Sequence, residues 1–352
     1  MAYETGSYTD QYDLLAKIKT FLDVGGSDGT WTVDSYIADT QKYTSGSGVG
    51  QYRLHIHKTA IDTTIMYFNL KSSNAAKIWE YAYNYGEFSG IGLYGSTGYS
   101  GAGNWDKEPG YPYGSTTAKP CGVDIIVSGP GTYYFFSSAD TVVIVIEYAG
   151  GKYQWLCFGQ IQKLGSFTGG QFFTGSSVSV DHQDIYIPGG TNYGISDTPA
   201  KPFCASSYSA FQSSVMVHVN VDSYDTWRSY YYRANYNCAT TKERLITSII
   251  SSGWNFSNVI LMQLVLEYNL FQRSPNEFNG VAALFPIYFM AERSNSKWSP
   301  LGYVDIVRQV NMKYKSPLDE VVFGSDTWVF LPMHDSVNDK TTDVAFAVKK
   351  IV

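Results

Sequence analysis

The chain has 352 residues and a net charge of −6, and only 16% of its residues are charged while another 16% are aromatic. About 25% charged residues is typical of globular proteins, so part of this surface must carry Tyr, Ser, Thr, Gly and Asn in place of ions. The ordinary apolar content excludes wholesale disorder. The mildly acidic charge balance, without a basic stripe, argues against nucleic-acid binding.

Targeting signals are not visible in the sequence. The longest apolar stretches, Thr141–Tyr148 and Val259–Leu266, are too short to cross a bilayer, and the first residues lack the basic and apolar regions of a signal peptide. We therefore expect synthesis in the cytoplasm and no membrane insertion.

The cysteines favour free thiols over disulfides. The four residues are Cys121, Cys157, Cys204 and Cys238. They lie far apart and form no C-x-x-C pair, so buried thiols in a reducing compartment are the preferred interpretation and disulfides are the alternative.

One helix is predicted near the N-terminus, capped by Thr9 or Asp10 and ended by Gly25-Gly26. Its apolar residues recur at helical spacing: Leu14, Leu15, Ile18, Phe21 and Leu22. This face is expected to dock on the strands that follow, which are Thr30–Val33, Tyr52–His57 and Thr64–Leu70.

The next segment is ambiguous and leads into a long loop. Residues Lys77–Phe88 could form a helix, but strict alternation of aromatic residues favours a strand. Gly90–Lys119, rich in Gly, Tyr, Ser and Pro, is expected to be irregular. A loop of that length is usually functional or packs on a neighbour, so it is the first candidate for a contact element.

The remainder is predicted to be β-rich, with a helix over residues 240–250 after the capping box Thr240–Glu243. The predicted strands are Cys121–Ser128, Tyr133–Ser137, Thr141–Tyr148, Tyr153–Gln160, Val215–Val221, Asp225–Arg233, Asn258–Tyr268, Ala282–Met290, Gly302–Val310, Glu320–Val322, Thr327–Leu331 and Asp343–Lys349. Thr141–Tyr148 is β-branched and apolar on both faces, which predicts a central strand covered on both sides. A hairpin turn is expected at Ala149–Lys152.

These elements predict a mainly β fold with a few short helices, built from antiparallel sheets or sandwich-like domains with an N-terminal helix and long Gly/Tyr/Pro-rich loops. Residues 1–120 are expected to form one unit. Residues 121–352 are expected to form the β-rich remainder, with an irregular insertion around 165–207. The length is itself a soft indication of two domains, since single cores usually stop growing near ~250–300 residues.

A pair of histidines is the clearest pattern that could bind a metal. His55 and His57 form an H-x-H on a predicted strand, so both rings project from one face, and Asp62, Asp181 or His182 could complete a site. Two surface or rim histidines on a half-buried strand are the simpler interpretation, because no third ligand lies at a recognisable interval. We therefore expect no metal and no cofactor.

Catalytic patterns are weak. There is no G-x-S-x-G elbow and no phosphate loop, and the adjacency of Asp181 and His182 does not establish a triad. Paired carboxylates could serve a glycosidase, and the acidic residues on aromatic segments are Glu80, Glu87, Asp106 and Glu108. Nothing marks them as more than solubilising charges, so the prediction is a protein that is not an enzyme and has no catalytic residues.

Aromatic residues are the stronger signal. Half of each run at Tyr133–Phe136 and Tyr230–Tyr232 is expected to face a core, since alternate residues on a strand point to opposite sides. Tyrosines in the Gly-rich segment are expected to be external. The candidate contact residues are Tyr94, Tyr99, Trp105, Tyr111 and Tyr113.

Three stretches resemble a family of structural proteins of tailed bacteriophages. In Tyr134–Ser176, an aromatic strand leads into an apolar strand, a short turn, Tyr-x-x-x-x-x-Gly-x-x-x and an aromatic-Gly-Gly segment. Leu301–Val352 carries Leu301-Gly302, the run Gly324-Ser-Asp-Thr-Trp-Val-Phe330, and Asp343-Val-Ala-Phe-Ala347. The opening residues, the helix at 13–22 and Trp31 are also similar, whereas residues 177–300 depart from the pattern.

The resemblance implies a virion component of the tail, tail tip or baseplate, with no catalytic residues to carry over. The expected partners are copies of the chain in a symmetric ring and other virion tail proteins, and the expected location is the virion, assembled in the bacterial host cytoplasm. A receptor- or carbohydrate-binding virion module is the alternative, in which aromatic loops would stack on glycans. A glycan depolymerase is a third hypothesis.

Overall fold

A computed structural model of the chain describes residues 3–23, 31–39, 51–61, 63–76, 88–101, 105, 108–109, 121–124, 130–165, 172–179, 215–221, 224–229, 259–262, 282–293, 297–332 and 344–351. These residues form a mainly β structure with one α-helix among them, and their strand pairings are antiparallel. The predicted fold class is confirmed.

The elements follow one another along the chain. They are β1 (Tyr3–Tyr8), α1 (Gln11–Asp23), β2 (Thr32–Asp39), β3 (Gln51–Thr59), β4 (Ile65–Ala76), β5 (Phe88–Ser96), β6 (Cys121–Asp124), β7 (Gly131–Ser137), β8 (Thr141–Ala149), β9 (Lys152–Gln160), β10 (Gln162–Lys163), β11 (Phe172–Ser176), β12 (Val178–Ser179), β13 (Val215–Val221), β14 (Tyr224–Ser229), β15 (Val259–Met262), β16 (Phe285–Arg293), β17 (Lys297–Asn311), β18 (Glu320–Phe323), β19 (Asp326–Pro332) and β20 (Val344–Lys350).

The strands form three sheets. The central sheet has the order β1-β7-β8-β9-β11-β13-β14, and the N-terminal sheet has the order β12-β6-β5-β4-β3-β2. The C-terminal sheet has the order β15-β16-β17-β20-β19-β18, with β10 also paired to β17. Both the central and the N-terminal sheet take strands from either side of residue 120, so the expected boundary at that residue does not separate one sheet from another.

Helix α1 fills the space between the N-terminal sheet and the central sheet. Its apolar stripe is buried as the sequence predicts, and it shares a first core with one face of each of these two sheets. Asp10 is the N-cap, because its Oδ1 accepts the backbone N–H groups of Tyr12 (2.9 Å) and Asp13 (2.8 Å). Asp13 in return accepts the N–H of Thr9 at 2.9 Å. Asp10 therefore satisfies two donors of the first helical turn, and Asp13 satisfies the N–H that precedes the N-cap.

The central sheet is covered on both faces. In β8, Val142, Ile144 and Ile146 belong to the first core, while Val143 and Val145 are buried on the opposite face. The prediction of a doubly covered strand at Thr141–Tyr148 is therefore confirmed. The same covering buries both halves of the β7 aromatic run, where only one half was expected to face a core.

The C-terminal sheet packs on the central sheet through one face. The Trp155 ring of β9 lies 5.2 Å from the Phe346 ring of β20, and Trp155 Nε1 donates to the carbonyl of Pro332 at 2.9 Å. The opposite face of the C-terminal sheet carries a second core that includes Val310, Trp328 and Phe330. The central sheet is thus the middle layer of three.

A short strand, β10, links the central sheet to the C-terminal sheet. It continues from β9 and pairs with β17 at Tyr303 and Gly302. Position 302 requires glycine, because a Cβ there would collide with the backbone carbonyl of Gln162.

Several predicted elements need correction. The segment Gly90–Lys119 is not wholly irregular, since β5 begins before it and extends to Ser96 with Ile91 and Leu93 alternating into the first core. Strand β1 was not predicted, and β11 and β12 lie inside the stretch expected to be irregular around 165–207. The predicted strand at Lys77–Phe88, apart from its last residue, and the predicted helix at 240–250 lie outside the described residues.

Candidate functional site

A group of exposed apolar side chains lies along the edge of the C-terminal sheet that β18 forms. Val322 is 71% exposed, Phe323 66%, Tyr314 64% and Leu318 41%. Single exposed apolar residues are ordinary, but several large ones within ten residues are typical of an interaction surface. We call these four residues the apolar edge.

The hairpin of β18 and β19 positions two of these side chains. Phe323 pairs with Asp326 across the turn, and Val322 pairs with Thr327. Gly324, the first residue of the turn, has φ +63°, which a two-residue type II′ hairpin requires. Because successive strand residues point to opposite faces, Val322 and Phe323 project from opposite sides of the hairpin, and both remain exposed.

The loop before β18 holds two bulky residues in the left-handed region. Tyr314 has φ 66° and Leu318 has φ 70°, a conformation that costs a non-glycine residue about 1–2 kcal/mol. Backbone hydrogen bonds to β19 hold the loop in place at Leu318. The Leu318 N–H donates to Phe330 O (2.8 Å), and the Phe330 N–H donates to Asp319 O (2.9 Å). Strained backbone of this kind is concentrated at functional sites.

The charges that flank the apolar edge are paired within the chain. Lys350 contacts Glu320 at 2.8 Å and Lys349 contacts Asp326 at 2.8 Å, while the Lys313 ammonium lies 5.2 Å from the centre of the Tyr314 ring. A partner that covers this edge would meet apolar surface bordered by internally neutralised charges.

The sequence predicts the strands Glu320–Val322 and Thr327–Leu331 here, but it does not predict the exposed surface. The run Glu320–Phe323 has the composition of a half-buried strand, which gives no sign that both Val322 and Phe323 are exposed. A usable signal was available, because two adjacent large apolar residues before a glycine turn cannot both face a core that covers one side of a hairpin.

The predicted contact residues do not all lie in an exposed loop, as the sequence had predicted. Tyr94 lies in β5 rather than in a loop and is fully buried, as is Trp105, and their rings are 4.9 Å apart. Tyr94 is therefore not external, because the segment that follows β5 folds back over it. Tyr99 is 36% exposed, and Tyr111 and Tyr113 lie outside the described residues. An intermolecular contact role for these five residues stays a prediction, although Tyr94 and Trp105 have no accessible surface to offer.

A buried polar cluster lies under this folded-back segment. His55 Nδ1 is 2.6 Å from Asn69 Oδ1 and 3.8 Å from Glu108 Oε1. Glu108 Oε2 accepts the backbone N–H of Ser100 at 2.6 Å and its hydroxyl at 3.0 Å, and the Tyr99 ring lies 5.1 Å from the His55 ring. Burial lowers the pKa of His55. His55 and Glu108 are only 2% and 3% exposed, so this cluster fixes the segment on β3 rather than meeting a substrate.

The second histidine of the H-x-H has a separate partner. His57 Nδ1 lies 2.8 Å and 2.9 Å from the two carboxylate oxygens of Asp34 on β2. The two rings project from one face of β3 as predicted, but each is engaged by its own neighbours. Within the described residues, no group of three or more His, Cys, Asp or Glu side chains could hold a metal ion. Asp62, Asp181 and His182 lie outside them.

The other candidate chemical groups are buried or not described. Of the acidic residues considered for paired-carboxylate chemistry, Glu108 is bound as above, and Glu80, Glu87 and Asp106 lie outside the described residues. Cys121 and Cys157 are buried thiols outside any disulfide of the described residues, and burial raises the pKa of the Cys157 thiol. A buried thiol with a raised pKa is a poor nucleophile.

Comparison with protein-family models gives no matching family, and comparison with curated proteins gives no match. Among the described residues, the helix is neither long enough nor apolar enough to cross a membrane.

Proposed function

We propose that this chain is a structural subunit of a bacteriophage virion, of the tail, tail-tip or baseplate type, that acts by assembling with other proteins. The observation that carries the proposal is the apolar edge. Its exposed side chains would be better placed in an interface than in water.

The resemblance to phage structural proteins supports the proposal because of the strands in which the resembling stretches lie. Tyr134–Ser176 covers most of β7 and all of β8, β9 and β11 of the central sheet, together with β10, which pairs with the C-terminal sheet. Leu301–Val352 covers most of β17 and all of β18 to β20. The two stretches are therefore the parts of the chain that build the contact between the central and C-terminal sheets and that carry the apolar edge.

The composition supports assembly on physical grounds. Moving a charged group into an interface costs desolvation free energy, and only 16% of these residues are charged. A surface with few ions can be covered at low cost. In a symmetric assembly the same contact is repeated in every copy, so that individually weak contacts sum to a stable particle.

The location of the chain is tested on phage particles. Purified virions of a phage whose genome encodes this chain should contain it as a stoichiometric tail component. An electron cryo-microscopy map of the particles should show the chain and allow its copies to be counted. Absence of the chain from purified particles would contradict a virion role.

The assembly role is tested on the isolated chain. Sedimentation velocity over a concentration series should show species larger than the 39.2 kDa monomer, and the double variant Val322→Ser/Phe323→Ser should shift the series towards monomer. Ile61→Ser is the matched control, because Ile61 is 77% exposed on a different turn. A chain that stays monomeric at every concentration and binds surface polysaccharide would favour the carbohydrate-binding alternative instead.

A further inference from the structure

We infer that the apolar edge binds a second copy of this chain, by antiparallel pairing of β18 with β18 of the other copy about a two-fold axis at Val322. The inference rests on the proposed assembly function and names the partner of that same surface.

Among the described residues, β18 is the terminal strand of the C-terminal sheet. In a two-residue hairpin, the two residues that close the turn form both backbone hydrogen bonds with each other. Along the strand, hydrogen-bonded pairs then alternate with pairs that are not hydrogen-bonded. Phe323 closes the turn with Asp326, so Phe323 and Val321 bond to β19. Val322 and Glu320 therefore direct their N–H and C=O groups away from the sheet, where another strand can bind them.

The edge of β18 has little protection against pairing with another strand. Soluble proteins block free strand edges with lysine, proline, bulges or covering segments. The one charge in β18, Glu320, is paired with Lys350. Val321–Phe323 include neither a charge nor a proline, and the pairing of β18 with β19 has no bulge. Val322 and Phe323 are also the two most exposed residues of the apolar edge. The strand is short, so it would add few hydrogen bonds, and the exposed side chains would supply much of the binding free energy.

The residue pairs across the contact select the register in which the two β18 strands align. An axis at Val322 places Val322 opposite its copy, Val321 opposite Phe323, and Glu320 opposite Gly324, whose Cβ position is open space. An axis at Val321 would instead place Phe323 opposite Asp319 and Val322 opposite Glu320. The first register matches apolar with apolar and leaves the charge opposite a residue without a side chain, so cross-strand packing favours it.

A second copy of the chain fits this surface. A two-fold contact is isologous, so a single self-complementary patch is sufficient to form it. Glu320 and Asp326 already have their lysine partners within the chain. No like charges face each other across the axis at Val322, so two identical edges can approach without repulsion.

The test uses cysteine cross-linking of the full chain with Cys204 and Cys238 replaced by serine, which leaves only buried native thiols. With the axis at Val322, residue 322 faces its own copy at a Cα separation of about 5.5 Å, within disulfide range. Val322→Cys should therefore give a cross-linked dimer under a mild oxidant. Glu320→Cys should not, because two copies of residue 320 are offset by four residues, roughly 13 Å along the strand. Ile61→Cys, equally exposed elsewhere, should also stay monomeric.

A proline variant provides a second measurement that does not depend on oxidation. Val322→Pro removes an N–H that points away from β19, so it should keep the thermal stability of the parent chain and lose the dimer in sedimentation. Failure of Val322→Cys to cross-link while the parent chain self-associates would overturn the two-fold pairing and leave the assembly role standing. A parent chain that is monomeric at every concentration would overturn both.

Discussion

Asp305 on β17 is a carboxyl group whose protonation is coupled to folding. Its Oδ1 is shielded from solvent. Burial raises the pKa of Asp305, and the neighbouring hydroxyl groups of Ser138 and Thr141 and the charge of Arg308 offset this only in part. The folded chain therefore holds this proton more tightly than the unfolded chain, in which the carboxyl has its ordinary pKa near 3.8.

The consequence is a stability that falls with rising pH. The contribution of Asp305 to the free energy of unfolding is fully present below the unfolded pKa and is lost as pH rises through the folded pKa. Asp305→Asn should therefore raise the free energy of unfolding at pH 7, by an amount on the order of 1 kcal/mol, and change it little at pH 4. Urea denaturation at both pH values checks this, with Asp23→Asn, an exposed helix-end carboxylate, as the control. A loss of stability at pH 7 would show that the ionised carboxylate is needed.

Thr63 is a second residue at which local geometry predicts a stability change. It has φ 69° in the turn between β3 and β4, where its N–H donates to Ala60 O at 2.8 Å. Glycine adopts this conformation without steric cost, although it loses more entropy on folding. Thr63→Gly should therefore stabilise the chain by about 0.5–1 kcal/mol.

The matched substitution for Thr63→Gly is Thr59→Gly, which replaces an exposed threonine of ordinary strand conformation in β3. It should destabilise the chain by about 0.5–1 kcal/mol. Thermal unfolding of both variants gives the comparison, and shifts of the same sign would contradict the role of the left-handed conformation.

Among the elements, the segment that follows β5 is held on β3 by a buried polar contact. Glu108 accepts both the N–H and the hydroxyl of Ser100 beside His55. Glu108→Ala should leave buried donors without their acceptor, at a cost of about 1–3 kcal/mol. Amide exchange at Ser100 and urea denaturation measure the effect. Glu320→Ala, which removes an exposed ion pair, should cost less than about 1 kcal/mol; an equal cost would refute the docking role.

The same comparison explains which elements could be predicted from the sequence. Strand β8 was predictable because β-branched residues on both faces have no other efficient packing. Strand β5 was not, since its alternating glycines resemble a loop until Ile91 and Leu93 are recognised as one buried face. Strand β1 has little apolar pattern of its own, and it is ordered by backbone pairing with β7, which no local signal encodes.

For the whole molecule, the contact between the central and C-terminal sheets determines whether the layers unfold together. Trp155 is fully buried in this contact and donates to Pro332 O. Trp155→Phe should cost about 2–3 kcal/mol, since it leaves a cavity and a buried carbonyl without its donor. Trp328→Phe is the control, because Trp328 Nε1 has no hydrogen-bond partner among the described residues. Calorimetry should show one transition for both variants; two separate transitions would mean that the layers unfold independently.

The candidate site was harder to predict than the fold. The composition indicated that a surface of this chain would be covered, but not which surface. Tyr94 and Trp105 were candidates because of their residue type, and the fold uses them internally. Exposure of Val322 and Phe323 depends on the position of β18 at the end of its sheet, and strand order is set by contacts between distant segments rather than by the residues of the strand itself.

The pairing of Tyr3–Tyr8 with Gly131–Ser137 imposes an order of events on biosynthesis. At translation rates of about 5–20 residues per second, the ribosome needs roughly 6–25 s after making the first strand to produce the one beside it. During that interval the amphipathic helix has no middle layer to cover it. We therefore expect the apolar face of this helix to stay uncovered until more than a third of the chain has been made.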